Sequence, residues 1–252
     1  AKFVVLALGK LGGTELNYSS DIDLMFLYDE DGQTDGEKPL SNQEFFQRLA
    51  QKLVSLLTET TELGSVYRVD LRLRPYGRQG EAVISLPAAL RYYDVSGRTW
   101  ERQAFVKARP IAGDIALGDH FLKKLAPWVY RRYLSGADIT EIKALKRRIE
   151  KRSQKKGGKE LNVKTGLGGI RDIEFVTQFL QLQHVEEHPE ILGTNTLQSL
   201  TALVAAGCLR SDEYRKLSSG YLLLRSIEHS LQLMHNKQVH TLPIDRGELT
   251  YL

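Results

Sequence analysis

Cysteine is nearly absent from this 252-residue chain: Cys208 stands alone, so no disulfide can form within it. A single thiol suits a reducing, cytoplasmic setting. Long apolar runs are also missing, and none approaches the ~20 residues that a membrane-spanning helix needs. The opening run Phe3–Leu8 faintly resembles a signal-peptide core, but it is too short and no small-residue cleavage site follows. The chain has no initiator methionine and opens inside a structural element, as a piece of a longer protein would. There is no G-x-S-x-G elbow, no Cys/His pairing and no dinucleotide fingerprint, which sets those catalytic plans aside. Internal repeats are lacking. An excess of one charge sign is lacking: a formal net charge of only +4 suits a phosphate-bearing or acidic partner and is a weak sign of nucleic-acid binding.

What is present is an ordinary globular balance, 42% hydrophobic and 26% charged, enough to bury one large core or two smaller ones. Phe3–Leu8 predicts a buried strand, and Gly9-Lys10-Leu11-Gly12-Gly13 a flexible loop suited to phosphate. Asp21–Tyr28 predicts a second strand. Its period of two puts Ile22, Leu24, Phe26 and Tyr28 on one face and Asp21, Asp23, Met25 and Leu27 on the other. Residues 29–40 read as a surface loop. Ser41 and Glu44 form a capping box for a helix with a core stripe of Phe45, Phe46, Leu49, Leu53, Leu56 and Leu57, stopped by Gly64. Val66–Arg74 predicts a strand with Val69, Leu71 and Leu73 on the apolar face and Arg68, Asp70, Arg72 and Arg74 on the polar one. Ala82–Ser85 predicts a short strand. Helices are then expected at 87–95, 99–109, 115–125, 139–155, 170–187, 196–206 and 212–235. The plan is a strand-rich first third and a helical remainder, divided between ~110 and ~160 on the change in hydrophobic period.

The D-I-D at Asp21 and Asp23 carries the strongest chemical signal. Residues two apart on a strand lie ~6.5 Å apart on one face. Carboxylates that close repel unless a cation neutralises them. Magnesium accepts a few carboxylates together with water and phosphate oxygens, and two such ions can activate a nucleophile and stabilise a leaving group at phosphorus. The third acid must come from a neighbouring strand facing the same way, and Asp70 meets that requirement. Arg72 and Arg74 beside it can take phosphate oxygens bidentately, and Lys107 and Arg109 are further phosphate or nucleotide candidates. Each of these cations has a plain alternative as an ion-pair or structural partner.

The run Leu8-Gly9-Lys10-Leu11-Gly12-Gly13, Glu15-Leu16-Asn17-Tyr18 and Ser20-Asp21-Ile22-Asp23-Leu24 resembles the signature of the glutamine synthetase adenylyltransferase family. Tyr67–Pro75, Trp100–Ala104, Lys107–Arg109 and Gly168–Phe175 extend the resemblance, which runs from about residue 3 to at least 243. It implies an α+β, DNA polymerase β-like nucleotidyltransferase domain over 1–112, a mixed small sheet with helices, followed by a helical bundle over 113–252. It implies catalytic, metal-holding acids at Asp21, Asp23 and Asp70. Nucleotide or phosphate contacts fall at Gly9, Lys10, Gly12, Gly13, Ser20, Arg72, Arg74, Lys107 and Arg109. Two magnesium ions are implied, with manganese as a substitute, and ATP, ADP and orthophosphate as substrates or products. Glutamine synthetase is the implied protein substrate, and the PII signalling protein a partner through the full-length protein. Residues 97–102, 169–171 and 224–228 resemble the AMP-removing half of such proteins more than the AMP-adding half. The alternatives are a catalytically silent module that senses nucleotide or docks a partner, and a nucleotidyltransferase acting on RNA or an antibiotic.

Three weaker signals have plain explanations. His184–His188 matches a zinc pattern, but His188 abuts Pro189, which ends the helix both ligands need. The basic tract Lys143–Lys159 is interleaved with apolar residues and reads as a solvated helix face. The loop Thr165–Gly169 can present N–H groups to an anion or serve as a turn, and Asp172 and Glu174 can position that loop or the substrate, or serve as capping or ion-pair partners.

Overall fold

The computed structural model describes residues 1–62, 64–130, 161–243 and 245–250, with 140, 144 and 147. It is α+β. Strand β1 (Phe3–Leu8) leads into a helical turn, α1 (Gly9–Gly12), and then β2 (Asp21–Tyr28). Helix α2 (Asn42–Thr58) follows, then a small hairpin of β3 (Thr60–Thr61) and β4 (Gly64–Ser65), and strand β5 (Arg68–Asp70). After a 3-10 turn (Gly77–Gln79) come β6 (Val83–Ser85), α3 (Leu86–Ser96), α4 (Thr99–Val106), β7 (Arg109–Gly113) and α5 (Ile115–Val129).

The sheet runs β5-β2-β1-β7, with β6 also paired to β2. β1 is antiparallel to both neighbours, whereas β5 and β6 lie parallel to β2, one beside each end of it. The all-apolar β1 is central because both of its faces are covered. On one face Val5, Ile22, Leu24, Phe26 and Val83 pack with Phe46 and Ala50 of α2. On the other, α5 lies against β1 and β7, and the Tyr93 hydroxyl reaches the Met25 sulfur at 3.9 Å.

Several local expectations shift. Ser41 caps α2 by accepting from the Glu44 N–H at 3.1 Å, which is one half of the expected capping box; the Glu44 carboxylate instead accepts from Arg48 Nη2 at 2.6 Å. The core stripe, however, is Phe46, Ala50, Leu53, Val54 and Leu57, while Phe45, Leu49 and Leu56 face outward. Gly64 does not end that helix: α2 stops at Thr58, and Gly64, at φ +101°, opens β4. The strand over 66–74 contracts to three residues because the chain turns at Leu71, and the loop from Leu71 to Gly80 folds on itself. Arg109–Pro110 starts an edge strand rather than ending a helix. Pro110 lacks an N–H, and it is tolerated there beside a register shift opposite Val5/Leu6.

By contacts, the chain groups into two units, 1–16 with 20–130 and 17–19 with 131–252. The first unit therefore runs through α5, past the division at residue 112. The described part of the second unit is helical: α6 (Ile170–His184), α7 (Thr196–Ala205), α8 (Ser211–His235) and α9 (Arg246–Leu249). Its core includes Ile170, Leu182, Ile191, Leu200, Leu203 and Leu231. The buried Glu228 carboxylate accepts from Asn17 Nδ2 at 2.8 Å and Arg225 Nη1 at 2.7 Å, which ties residues 17–19 into this unit.

Candidate active site

β2 is buried from Leu24 onward, but Asp21 and Asp23 at its start are half-buried. The parallel register with β5 places Arg68 opposite Asp21 and Asp70 opposite Asp23. Paired residues of a parallel ladder share a face, so the three acids stand together on one side of the sheet. Two guanidiniums neutralise two of them. Arg68 Nε donates to Asp21 Oδ1 at 2.6 Å. Arg72 Nε donates to both Asp70 oxygens, at 2.9 and 2.7 Å, its Nη2 to Oδ2, and its backbone N–H to Oδ1 at 2.8 Å. Burial pushes the Asp70 carboxyl up, but these hydrogen bonds and the charges of Arg72 and Arg78 outweigh it and hold it below the usual carboxylate value. Arg72 is raised in turn, by its hydrogen bonds and charge pairing with Asp70 and, more weakly, by the charges of Asp23 and Asp21.

The glycine segment is not a loose loop. It forms one helical turn, closed by Gly13 N–H to the Gly9 carbonyl at 3.0 Å. Gly9 sits at φ +54°, and a Cβ there would lie 2.4 Å from Asp23 Oδ2. Only glycine allows the turn to start so close to that acid. At Gly12 a Cβ would meet the Lys107 carbonyl at 1.9 Å, so the turn is pressed against the chain entering β7. Lys10 lies on this turn, half-buried, and Ser20 is buried just before Asp21.

The other cations brace the scaffold. Lys107 Nζ pairs with Glu15 Oε2 at 2.6 Å, both side chains almost fully buried. Arg109 donates to the carbonyls of Gly12 and Leu11, at 3.0 and 3.2 Å. Arg74 donates to the Leu71 and Gly80 carbonyls and so shapes the loop after β5. Burial, opposed by the charges of Asp70 and Glu81, holds the Arg74 guanidinium below its usual value. The donors expected at a phosphate are thus directed at the protein itself for Arg74, Lys107 and Arg109. Glu15 is the partner that sequence reasoning missed.

Among the described residues, no three Asp, Glu, His or Cys side chains gather into a metal-binding group. Asp21, Asp23 and Asp70 nonetheless fit a hard divalent cation in donor type and in strand position. The positive charge such an ion would bring is supplied here by Arg68 and Arg72.

Elsewhere, the Thr165–Gly169 loop is an internal turn. Asn162 Oδ1 accepts from the N–H groups of Lys164 and Thr165, and Asp172 accepts from Gly168 N–H at 2.9 Å. α6 ends at His184, so the two histidines of the zinc pattern do not share a helix, and His188 Nδ1 lies 3.1 Å from Glu190. The tract 143–159 and the helix expected at 139–155 lie outside the described residues, apart from Thr140, Ala144 and Arg147.

The model of the glutamate-ammonia ligase adenylyltransferase family matches residues 1–124, and that of GlnD PII-uridylyltransferase matches residues 140–251. Similar curated proteins are named bifunctional glutamine synthetase adenylyltransferase/adenylyl-removing enzyme. That of Hahella chejuensis is 44% identical over 97% of this chain and 25% of its own length. Those of Stenotrophomonas maltophilia and Pseudomonas aeruginosa are each 45% identical over 97% of the chain, covering 26% and 25% of their own lengths. The chain spans about a quarter of the length of the curated relatives it matches.

Proposed function

The chain belongs to the glutamate-ammonia ligase adenylyltransferase family, and we propose that its first unit is a polymerase β-like nucleotidyltransferase domain acting on glutamine synthetase. One observation carries this reading: the register that sets Asp70 beside Asp23, with Asp21 on the same face. Asp21, Asp23 and Asp70 would hold the divalent ions, magnesium by donor type, and such ions would supply neutralisation of charge at the α-phosphate. The remaining work falls to the protein. The turn from Gly9 to Gly13, with Lys10 and Ser20, forms the nucleotide side of the site. Lys107 and Arg109 hold that turn in place through Glu15 and the Gly12 and Leu11 carbonyls. Rigid placement of the reacting groups supplies much of the rate in a phosphoryl-centred displacement.

The reaction is AMP removal from the regulatory tyrosine of glutamine synthetase: an orthophosphate oxygen attacks the α-phosphorus, the tyrosyl oxygen leaves, and ADP is released. Residues 97–102, 169–171 and 224–228 support this direction over addition of AMP from ATP. The likeness of residues 140–251 to the PII-uridylyltransferase model supports the PII signalling protein as a partner. The test is to incubate the chain with Mg²⁺ and adenylylated glutamine synthetase, with and without orthophosphate. Phosphate-dependent ADP release is expected. Transfer of AMP from ATP to the unmodified enzyme would reverse the direction, and the absence of both reactions would defeat the assignment of activity to this chain.

A further inference from the structure

The basic residues around the three acids fall into two groups. Lys107, Arg109 and Arg74 are fixed: Lys107 is sealed against Glu15, and the two arginines donate to backbone carbonyls. Arg68 and Arg72 differ in both respects. Their partners are the carboxylates of the site, and their own side chains are more than half exposed. Both Asp70 oxygens accept from Arg72, while the Asp70 side chain is only 13% exposed. A cation reaching Asp70 therefore has to take oxygens that the guanidinium already holds. Arg72 itself is 59% exposed, and the guanidinium fork matches a phosphate as well as a carboxylate.

We propose that Arg68 and Arg72 are exchangeable counter-ions, and that a phosphate-bearing ligand draws Arg72 off Asp70 and so opens the carboxylates to a divalent cation. Anion and cation then bind cooperatively, because each removes the other's competitor. Arg72 is a positioning residue in this scheme: it sets when Asp70 is available, and it follows the phosphate once released. The inference rests on the three-carboxylate reading of the site, and the experiment separates the two.

Mn²⁺ affinity is measured by water-proton relaxation at constant ionic strength, with chloride or with sulfate as a phosphate stand-in. In chloride, Arg72→Met should bind Mn²⁺ roughly five-fold or more tightly than the unsubstituted chain, at the low end of site–site couplings. Arg68→Met should shift the same way. Sulfate should tighten Mn²⁺ binding to the unsubstituted chain but not to Arg72→Met. Arg78→Met removes a nearby positive charge that pairs with none of the three acids by hydrogen bond. It should give a much smaller gain. An equal gain with Arg78→Met, no gain with Arg72→Met, or a sulfate effect that survives in Arg72→Met overturns the exchange. Asp23→Asn and Asp70→Asn mark the other failure. If neither weakens Mn²⁺ binding, the three-carboxylate site itself is wrong, and the exchange falls with it. Since Arg68 and Arg72 are surface side chains, the variants should retain their far-ultraviolet circular dichroism; if Arg72→Met does not, Arg68→Met and Arg72→Lys decide the matter.

Discussion

Asp23 is the residue on which the site turns, because it faces Asp70 across the ladder and Gly9 across the turn. Asp21→Asn or Asp23→Asn should abolish AMP transfer in either direction while leaving circular dichroism unchanged. Full activity in both variants would remove the acids from the chemistry. Gly9→Ala should be costly for two separate reasons, a positive φ and a Cβ driven into the Asp23 carboxylate. A strained backbone of this kind costs ~1–3 kcal/mol, read as a lower midpoint in urea unfolding, and turnover should fall with it. Lys107→Met leaves the Glu15 carboxylate buried without its ion-pair partner. Removing one member of a buried pair typically costs ~3–5 kcal/mol, so this variant should be among the least stable at the site. Lys107→Met with Glu15→Gln should recover part of that loss, since the buried negative charge is gone.

At the level of elements, α2 shows how a stripe can be identified and still misplaced. Phe45, Phe46, Leu49, Leu53, Leu56 and Leu57 wrap around more than one side of a helix, and the sheet takes only the side carrying Phe46, Leu53 and Leu57. Phe46→Ala should destabilise by ~3–5 kcal/mol, since it empties a site stacked on Phe3 and Tyr28. Phe45→Ser, on the outward side, should stay within about 1 kcal/mol in the same urea series. β5 illustrates the reverse case. Its three residues are too few to stand alone, but pairing with the start of β2 brings Asp70 into the only register that matters for the site.

Across the whole molecule, stability should respond to pH through carboxyls displaced in opposite directions. Burial raises the Glu101 carboxyl, with the Arg98 N–H, the Tyr92 hydroxyl and the Arg98 charge opposing it. A raised folded-state value means the folded chain holds its proton more tightly. This contribution to stability is complete below the unfolded carboxylate range and is lost as pH rises through the folded value. Asp70 is lowered, so its contribution is present above the unfolded value and lost as pH falls through the folded one. Glu101→Gln, which keeps the shape without the titration, should therefore gain on the unsubstituted chain as pH rises from 4 to 7. Urea midpoints at each pH would show it, and a flat difference would place the Glu101 titration elsewhere.

Much of this protein follows from local order in the chain. The apolar run of β1, the period of two in β2, the N-cap at Ser41 and the common face of Asp21 and Asp23 are properties of neighbouring residues, because rise, pleat and cap geometry act over a few positions. Even Asp70 could be assigned to a polar face from its alternation. What only the tertiary structure decided is which partner meets which. The parallel register of β5 on β2, the edge strand β7, the inward side of α2 and the direction of Lys107 and Arg109 toward the glycine turn and Glu15 all join residues far apart in sequence. Alternation names the face of a strand but not its neighbour. A charged side chain written beside an acid can meet that acid, another one, or a backbone carbonyl, and packing makes the choice.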